Sequence, residues 1–331
     1  MTDAVDLRPF DAGRIGEIVA VWNAAAGSAF PLREALFRQN TLADPHFDPA
    51  GASLARDTAT GRVIGCGIAK VAREPLGADG LRPDRGWLSF MVVHPAYQRR
   101  GIGTALLRAG EAFLRARERP RAVLGGDPAH FFPGVPDETG AAGFFEAGGF
   151  ALRGEAYDLH RSLAGYETPA TVTAARSANP EIEVRPLAAG DEDALLRFLD
   201  ATFPGRWRYT IARFLRGGGP IGDVMGVVRR GAVHGFALLF HPRSRWIGPS
   251  IAWAPPAGGR SDPAAGGLGP MGLAPELRGR GLGHVLLDRA VGHLAALGVR
   301  EMVIDWTILL DFYGTLGFVP RRRYRHGERA L

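Results

Sequence analysis

Two short stretches of the chain carry the residues needed to bind an anion. "QRRGIG" at Gln98–Gly103 and "RGRGLG" at Arg278–Gly283 each place glycines and arginines between an apolar run and an amphipathic run. Glycines where a strand turns into a helix let consecutive backbone N–H groups converge, and the helix N-terminus favours negative charge. Arginine side chains beside such a loop add charge-assisted hydrogen bonds to phosphate oxygens. We therefore predict that each loop binds a diphosphate.

Other glycine-rich phosphate loops fit these stretches poorly. The third glycine of the dinucleotide-binding pattern G-x-G-x-x-G is missing, and no acidic residue ends a following strand at the required distance. A P-loop would need Gly-Lys-Ser/Thr, which neither stretch contains. For a single loop, a turn that only connects two elements would be the simplest alternative. Two loops in matched surroundings favour a binding role.

The whole chain repeats itself around these loops. Arg8 in "VDLRP" is matched by Arg185 in "IEVRP", and "TGRVIGCG" is matched by "RGAVHGFA". Further along, "FFEAGGF" at Phe144 is matched by "FYGTLGF" at Phe312. Four anchors in one order indicate a duplicated unit. We predict an N-terminal domain over 1–163, a linker over 164–181 that is poor in large apolar residues, and a C-terminal domain over 182–331.

Each copy has the same predicted order of elements, and these elements must position the loops. A strand and a helix precede two strands joined by a glycine turn, and a further strand leads into the glycine loop. An amphipathic helix, a strand, a short helix and a last strand follow. Strands and helices mixed in this way predict an α+β fold, in which helices cover one central sheet.

The composition limits the classes of protein to be considered. Hydrophobic residues make up 46% of the chain and charged residues 22%, as in a folded globular protein. Cys66 is the only cysteine, which excludes an internal disulfide framework and a multi-cysteine metal site, and we predict no metal. The formal net charge is +6, but arginine is spread along the whole chain, so this charge does not indicate a nucleic-acid partner.

No membrane or export segment is evident. Apolar runs stay well short of the ~18 residues that a spanning helix needs, and the N-terminus lacks the pattern of a signal peptide. We expect a cytoplasmic monomer or homodimer with no nucleic-acid or membrane partner.

The quoted motifs together resemble one known family. "VVHPAYQRRGIGTALL" resembles the acetyl-CoA-binding signature Q/R-x-x-G-x-G/A of the GNAT superfamily of N-acetyltransferases, and "APELRGRGLGHVLL" is similar. "FYGTLGF" resembles the F-Y-x-x-L-G-F segment of that family. The resemblance covers nearly the whole chain and implies two GNAT-type domains, each a mostly antiparallel central sheet with a splayed strand pair and helices on both faces.

The resemblance also implies how each domain would bind acetyl-CoA. The glycine loop would hold the diphosphate, and the strand before it would pair through its backbone with the pantetheine arm. A free N–H of that strand would stabilise the oxyanion formed during acyl transfer, a role worth ~3–4 kcal/mol. The coenzyme-binding residues implied in the first copy are Val92, Val93, Gln98, Arg99, Arg100, Gly101, Ile102, Gly103 and Thr104. Those in the second copy are Gly272, Leu273, Arg278, Gly279, Arg280, Gly281, Leu282, Gly283 and His284.

Candidate acid and base residues distinguish the two copies. By the resemblance, Tyr313 would give a proton to the departing thiolate, whereas Phe145 stands at the same place in the first copy and cannot. Asp305 in "VIDWT" is the candidate general base, with Trp306 as an apolar neighbour that would raise its pKa. The alternatives are a packed aromatic for Tyr313, and a solvated carboxylate or an arginine partner for Asp305. His94, Glu138 and His234 are weaker candidates for the base.

We therefore expect an N-acetyltransferase that transfers acetyl from acetyl-CoA to a primary amine of a small molecule. The C-terminal domain would be catalytic, and the N-terminal domain would bind coenzyme or regulate. A non-catalytic acyl-CoA sensor and catalysis by the N-terminal domain remain alternatives. The first copy also has an inserted segment, "GGDPAHFFPGVPDETG" at 125–140, which contains Phe131 and Phe132 and would shape a substrate pocket or dock the other half. The doubled plan is similar to that of enzymes of thiol-cofactor biosynthesis, but no residue selects such a substrate.

Overall fold

The computed structural model of the chain describes residues 5–254 and 264–331. Its strands are β1 (Val5–Pro9), β2 (Ala52–Asp57), β3 (Val63–Lys70), β4 (Gly86–Val93), β5 (Arg121–Leu124), β6 (Val135–Pro136), β7 (Ala151–Ser162), β8 (Glu183–Pro186), β9 (Val224–Arg229), β10 (Ala232–Phe240), β11 (Ala265–Leu273), β12 (Glu301–Thr307) and β13 (Val319–Ala330). Its α-helices are α1 (Ile15–Ala26), α2 (Glu34–Asn40), α3 (Ile102–Ala116), α4 (Ala142–Ala147), α5 (Ala170–Ser177), α6 (Glu192–Thr202), α7 (Arg206–Arg216), α8 (Leu282–Ala296) and α9 (Leu310–Gly314). Across these residues, none of the helices combines the length and apolar character that crossing a membrane requires.

The chain forms two compact units with matching sheets. The first unit comprises 1–75, 80–156 and 322–331, and the second comprises 76–79 and 157–321. Strands of the first unit lie in the order β1-β2-β3-β4-β5-β13, and those of the second in the order β8-β9-β10-β11-β12-β7. Only β4/β5 and β11/β12 are parallel among the described pairs of these two orders. The predicted mixed fold with mostly antiparallel sheets is confirmed.

The last strand of each sequence copy begins in its own unit and continues into the unit of the other copy. Residues 157–162 of β7 pair antiparallel with β12, so the first copy completes the second sheet. Likewise β13 pairs with β5, with Ala330 opposite Arg121, so the second copy completes the first sheet. The compact units therefore follow a different division from the sequence copies with boundaries at 163 and 182. Because the two sheets are equivalent, alternation and turn signals do not show which of them receives a given strand.

The segment predicted as a linker contains helix α5. Val172 of α5 is buried in the same core cluster as Val285 and Leu286 of α8. The Tyr166 hydroxyl donates a 2.6 Å hydrogen bond to Asp288 Oδ1 on α8. One buried valine and the small side chain of Ala175 are enough for close packing on α8, so α5 forms despite its scarcity of large apolar residues.

A buried ion cluster anchors the inserted segment of the first copy. Lys70 and its two carboxylate partners are fully buried, and Nζ lies 2.9 Å from both Asp44 Oδ2 and Asp127 Oδ1. The ammonium also donates to the carbonyls of Asn40 at 2.7 Å and Ala129 at 3.2 Å. Although burial opposes its charge, the carboxylates of Asp127 and Asp44 hold the pKa of Lys70 above its ordinary value. The only lysine of the chain thus has a structural role.

Replacing Lys70 with methionine is expected to destabilise the protein by about 3–5 kcal/mol, because two buried carboxylates lose their shared cation. Urea unfolding followed by tryptophan fluorescence measures this loss. The matched control is Arg38→Met, which removes an exposed cation paired with Glu34 and is expected to cost less than about 1 kcal/mol. Equal unfolding midpoints for Lys70→Met and the unsubstituted protein would show that the cluster contributes no net stability.

Candidate functional site

Each sheet contains a gap between its two parallel strands. In the first unit the parallel pairing of β4 and β5 runs from Gly86 to Leu88, with Leu88 opposite Leu124. In the second unit the pairing of β11 and β12 runs from Ala265 to Leu268. Both β4 and β11 continue for five residues beyond this pairing. The predicted splayed strand pair is therefore present in both units.

Backbone alternation decides which residues face each gap. His94 N donates to Ile64 O at 2.8 Å, and Ala274 N donates to His234 O at 2.7 Å, so these residues bond to the neighbouring antiparallel strand. Hydrogen-bonded and non-bonded residues alternate along such a ladder. Val92 and Gly272 therefore also bond to their neighbouring strands, whereas the peptide groups of Val93 and Leu273 point into the gaps. Of the four residues predicted for the pantetheine arm, only these last two are positioned to bind it through their backbone.

The two glycine loops present backbone amides at helix N-termini, as predicted. Gly101 (φ 80°) precedes α3 and Gly281 (φ 74°) precedes α8, a left-handed conformation that glycine adopts without strain. Within the described part of the chain, the amides of residues 99–104 and 279–283 make no hydrogen bond. The amides of Gln98 and Arg278 differ, because they donate to the carbonyls of Pro95 and Pro275. Unbonded amides at a helix N-terminus fit a diphosphate group.

Side chains of the loops make equivalent contacts in the two units. Gln98 Nε2 donates to Val93 O at 3.0 Å, and Arg278 Nε donates to Leu273 O at 3.1 Å. Each side chain thus donates a hydrogen bond to the last carbonyl of the strand that borders the gap. Because these bonds involve exposed side chains, an incoming ligand can replace them at little cost.

The arginines that follow differ in their partners. Arg100 donates to the carbonyl of Ala96 at 3.0 Å and lies over the ring of Tyr97. Arg280 forms a 3.0 Å ion pair with Glu181, in the segment that follows α5. Both guanidinium groups remain partly exposed beside their loops, and exposed ion pairs are weak. Both are therefore available to contact a phosphate.

A cavity of about 560 Å³ joins the first loop to the first gap. Arg99 and Thr104 line it at the loop, and Leu124 lines it at the gap. Trp22 of α1 and Phe132 of the inserted segment line it too, so this segment shapes a pocket, one of the two roles predicted for it. Among the described residues that line the cavity, Arg99 has the only ionisable side chain. The first unit can therefore bind a coenzyme, but the described residues that line its cavity include no carboxyl, imidazole, phenol or thiol group.

The second gap contains a carboxyl group with an elevated pKa. Asp305 directly follows Ile304, the last residue of β12 that pairs with β11. A side chain at Gly269 would collide with Asp305 Oδ1, so the carboxyl lies against the splayed part of β11. Burial raises the pKa of Asp305 to about 8, with a smaller contribution from the negative charge of Asp158. A carboxyl with this pKa exchanges its proton near neutral pH, as a general base requires.

The surroundings of Asp305 Oδ1 distinguish between the alternatives for this residue. The oxygen is buried and has no hydrogen-bond partner in the described part of the chain. Oδ1 of Asp305 is therefore neither exposed to solvent nor paired with an arginine. The weaker candidates have other contacts. His94 Nδ1 accepts a 3.3 Å hydrogen bond from Ala96 N, and His234 Nδ1 lies 3.1 Å from Glu276 Oε1.

Tyr313 lies close enough to Asp305 for the two groups to interact electrostatically. Its side chain is buried, with ring contacts to Phe312 and Phe318, as the packing alternative expected. Its hydroxyl makes no hydrogen bond within residues 5–254 and 264–331. Burial, and secondarily the charge of Asp305, raises the pKa of Tyr313 well above its ordinary value. The phenol therefore keeps its proton at neutral pH and has it available to donate.

Equivalent positions of the first gap hold residues that cannot transfer a proton. Gly125 follows Leu124 as Asp305 follows Ile304, and Phe145 stands in the place of Tyr313. The glycine loop and the gap are thus present twice in the described structure, whereas the acid and base candidates are present in the second unit.

Asp158 is the residue of this site that the sequence reasoning missed. It is buried and accepts a 3.3 Å hydrogen bond from Trp306 N. Arg206 was also missed, and its guanidinium lies 4.7 Å from the centre of the Trp306 ring. Asp158 stands in the last strand of the first copy, and no sequence signal connects that strand with the second site.

Comparison with known proteins identifies related sequences. Residues 18–132 match the Acetyltransferase (GNAT) family model. A mycothiol acetyltransferase from Geodermatophilus obscurus is 29% identical over 239 residues, which cover 69% of each chain. The sequence resemblance to GNAT acetyltransferases is thereby confirmed.

Solved structures share the doubled fold. The glucosamine N-acetyltransferase region of a fungal multi-domain GH3 beta-N-acetylglucosaminidase superposes with a TM-score of 0.86 at 24% identity, over 99% of this chain and 38% of that chain. A tandem GNAT protein from the clavulanic acid biosynthesis pathway superposes with a TM-score of 0.66 at 18% identity, over 98% of each chain. At these identities the likeness establishes the fold alone.

Proposed function

We propose that this chain, which belongs to the GNAT superfamily and is an acetyl-CoA-dependent N-acetyltransferase, transfers the acetyl group in its second unit to a primary amine of a small molecule. One observation supports this assignment above the others. Asp305 and Tyr313 lie together at the second gap, whereas Gly125 and Phe145 occupy their places at the first. Acetyl transfer requires both a base and an acid, and the second unit offers both.

The side chains of the second gap have defined tasks in this proposal. Acetyl-CoA supplies an acetyl group activated as a thioester. The ionised carboxylate of Asp305 accepts a proton from the acceptor nitrogen, while that nitrogen bonds to the acetyl carbon. The hydroxyl of Tyr313 gives its proton to the sulfur as the carbon–sulfur bond breaks. The amides of residues 279–283 hold the diphosphate, and the peptide group of Leu273 orients the pantetheine arm.

The first unit would bind acetyl-CoA without transferring its acetyl group. The amides of residues 99–104 are unbonded, and the cavity of this unit reaches from the loop into the gap. We propose a structural or regulatory role for this second coenzyme, consistent with the lack of a carboxyl, imidazole, phenol or thiol group among the described residues that line the cavity.

The names of similar proteins provide the first acceptors to test. Several relatives are named mycothiol acetyltransferase, and the fungal region is named for glucosamine. We propose to assay first the reaction for which the mycothiol acetyltransferases are named, and then acetyl transfer to glucosamine. The acceptors in both assays are small molecules, as the proposal requires.

Charge reversal at each loop tests where the reaction occurs. Arg280→Glu is expected to abolish acetyl transfer and the coenzyme site of the second unit, because a carboxylate beside the loop repels the diphosphate. Arg100→Glu is its matched control in the first loop and is expected to keep most of the transfer activity. Calorimetry with acetyl-CoA should find two sites per chain in the unsubstituted protein. In each variant it should find one site of normal affinity, because the affinity of the substituted site is expected to fall at least about tenfold.

The two variants give opposite results if the assignment is wrong. Loss of transfer in Arg100→Glu, together with normal transfer in Arg280→Glu, would place catalysis in the first unit. Because the Arg280–Glu181 ion pair is partly exposed, its loss is expected to change the free energy of unfolding by no more than about 1 kcal/mol. Thermal unfolding of both variants checks this expectation.

A further inference from the structure

An irregular pairing at the second gap places Asp158 beside the candidate base. Ile304 of β12 pairs with Leu159 of β7, and Thr307 pairs with Tyr157. Two residues of β12, Asp305 and Trp306, therefore lie opposite the single residue Asp158. Such a bulge turns a side chain in a direction that a regular strand does not allow. This bulge includes Asp305, whose side chain is directed at the gap.

The side chain of Asp158 stabilises this bulge. Trp306 has a φ of 46°, which is uncommon for a residue other than glycine and costs free energy unless neighbouring contacts hold it. Its N–H, which the bulge leaves out of the ladder, donates to Asp158 Oδ1 at 3.3 Å. Arg206 covers the other side of Trp306 through its contact with the ring. Asp158 thus accepts a hydrogen bond from a partly buried N–H that the bulge leaves out of the ladder.

We propose that Asp158, a residue of the first sequence copy, is a positioning residue of the acetyl-transfer site in the second unit. This inference rests on the proposed role of Asp305 as the base. The carboxylate of Asp158 holds the bulge at Trp306 and thereby keeps Asp305 directed at Gly269 and the gap. The exchange of last strands between the copies then has a functional consequence, because it supplies this carboxylate.

The second effect of Asp158 is electrostatic. The charged or titratable groups that interact with Asp305 are Asp158 of β7, Arg206 of α7 and Tyr313 of α9, while β11 contributes the uncharged Gly269. The negative charge of Asp158 raises the pKa of Asp305, and the positive charge of Arg206 lowers it. Asp158 therefore makes Asp305 a stronger base than Arg206 alone would permit.

Two substitutions separate these effects in the full-length protein. Asp158→Asn retains an acceptor oxygen for Trp306 N but removes the charge. It is expected to move the rising limb of kcat/KM against pH to lower pH by about one unit. Asp158→Ala removes both and is expected to lower kcat at the pH plateau about 10- to 100-fold, because Asp305 is no longer held in place. The Kd of acetyl-CoA is expected to stay unchanged in both variants.

Glu301→Gln is the matched control. Glu301 is a carboxylate at the opposite end of β12, paired with His160 of β7, and its loss is expected to leave the pH limb in place. If Asp305→Asn abolishes transfer but both Asp158 variants keep the normal pH limb and plateau rate, the proposal for Asp158 is wrong and the role of Asp305 survives. If Asp305→Asn is fully active, the proposed base itself is wrong. Thermal unfolding of each variant separates loss of folding from loss of function.

Discussion

Replacing Asp305 with asparagine is expected to lower kcat for acetyl transfer about 10²- to 10⁴-fold, the usual contribution of a general base. The side chain keeps its shape and its place against Gly269, so the Kd of acetyl-CoA should change little. The pKa of Asp305 is raised to about 8, so the unsubstituted protein has this carboxyl mostly protonated at pH 7. Its kcat/KM should therefore rise as the pH increases through about 8, and this limb should be absent from the residual activity of the variant.

The matched control for this substitution is Asp311→Asn. Asp311 is an exposed acidic residue at the start of α9, and its loss is expected to leave both the rate and the pH limb unchanged. Steady-state rates from pH 6 to pH 9.5, measured at saturating acetyl-CoA over a range of acceptor concentrations, provide both kcat and kcat/KM. Normal turnover by Asp305→Asn would mean that the acceptor amine loses its proton by another route.

Local sequence signals were sufficient for the parts of the site that depend on one stretch of chain. The glycines of "QRRGIG" and "RGRGLG" predict loops with free amides, and residues 99–104 and 279–283 have them. The resemblance also implies that Gln98 binds the coenzyme, but the amide of Gln98 closes the short 3-10 turn that begins at Pro95. This turn depends on the direction of the chain as it leaves β4, which residue types alone do not determine.

The strand before each loop is a second case in which residue types alone do not determine the contact with the coenzyme. The sequence predicts that backbone at 92–93 and 272–273 meets the coenzyme, but it does not fix the parity of the ladder. Because a strand has a period of two, a shift of one residue exchanges the gap-facing and ladder-facing peptide groups. The bonds from His94 and Ala274 determine that parity and select Val93 and Leu273.

Contacts between the two copies were outside the reach of sequence patterns. The position of Asp305 after an apolar strand identifies it as a candidate base, and the sequence predicts that Trp306 raises its pKa. In the structure burial is the main cause, and the second is Asp158, which precedes Asp305 by 147 positions in the chain. A repeat search aligns the two copies but does not detect the exchange of their last strands, so it places Asp158 in the first copy, whereas the compact unit that contains Asp158 is the second.

Replacing Tyr313 with phenylalanine is expected to lower kcat about 10²-fold or more while the Kd of acetyl-CoA stays unchanged. The pKa of Tyr313 is raised by burial and by the charge of Asp305, so the hydroxyl carries its proton throughout the working pH range. Loss of this proton donor should slow departure of the thiolate most when that thiolate is most basic. Rates with acetyl thioesters of graded thiol pKa should thus show a steeper dependence in Tyr313→Phe than in the unsubstituted protein.

Phe145→Tyr in the first unit is the reciprocal variant. It restores a phenol to the equivalent position, but Gly125 still stands where the second unit has Asp305. We therefore expect the double variant Phe145→Tyr/Tyr313→Phe to transfer acetyl no faster than Tyr313→Phe alone, because the restored acid in the first gap has no base beside it. Recovery of substantial activity in that double variant would contradict the division of roles, since it would mean that the first gap needs only a hydroxyl to become catalytic.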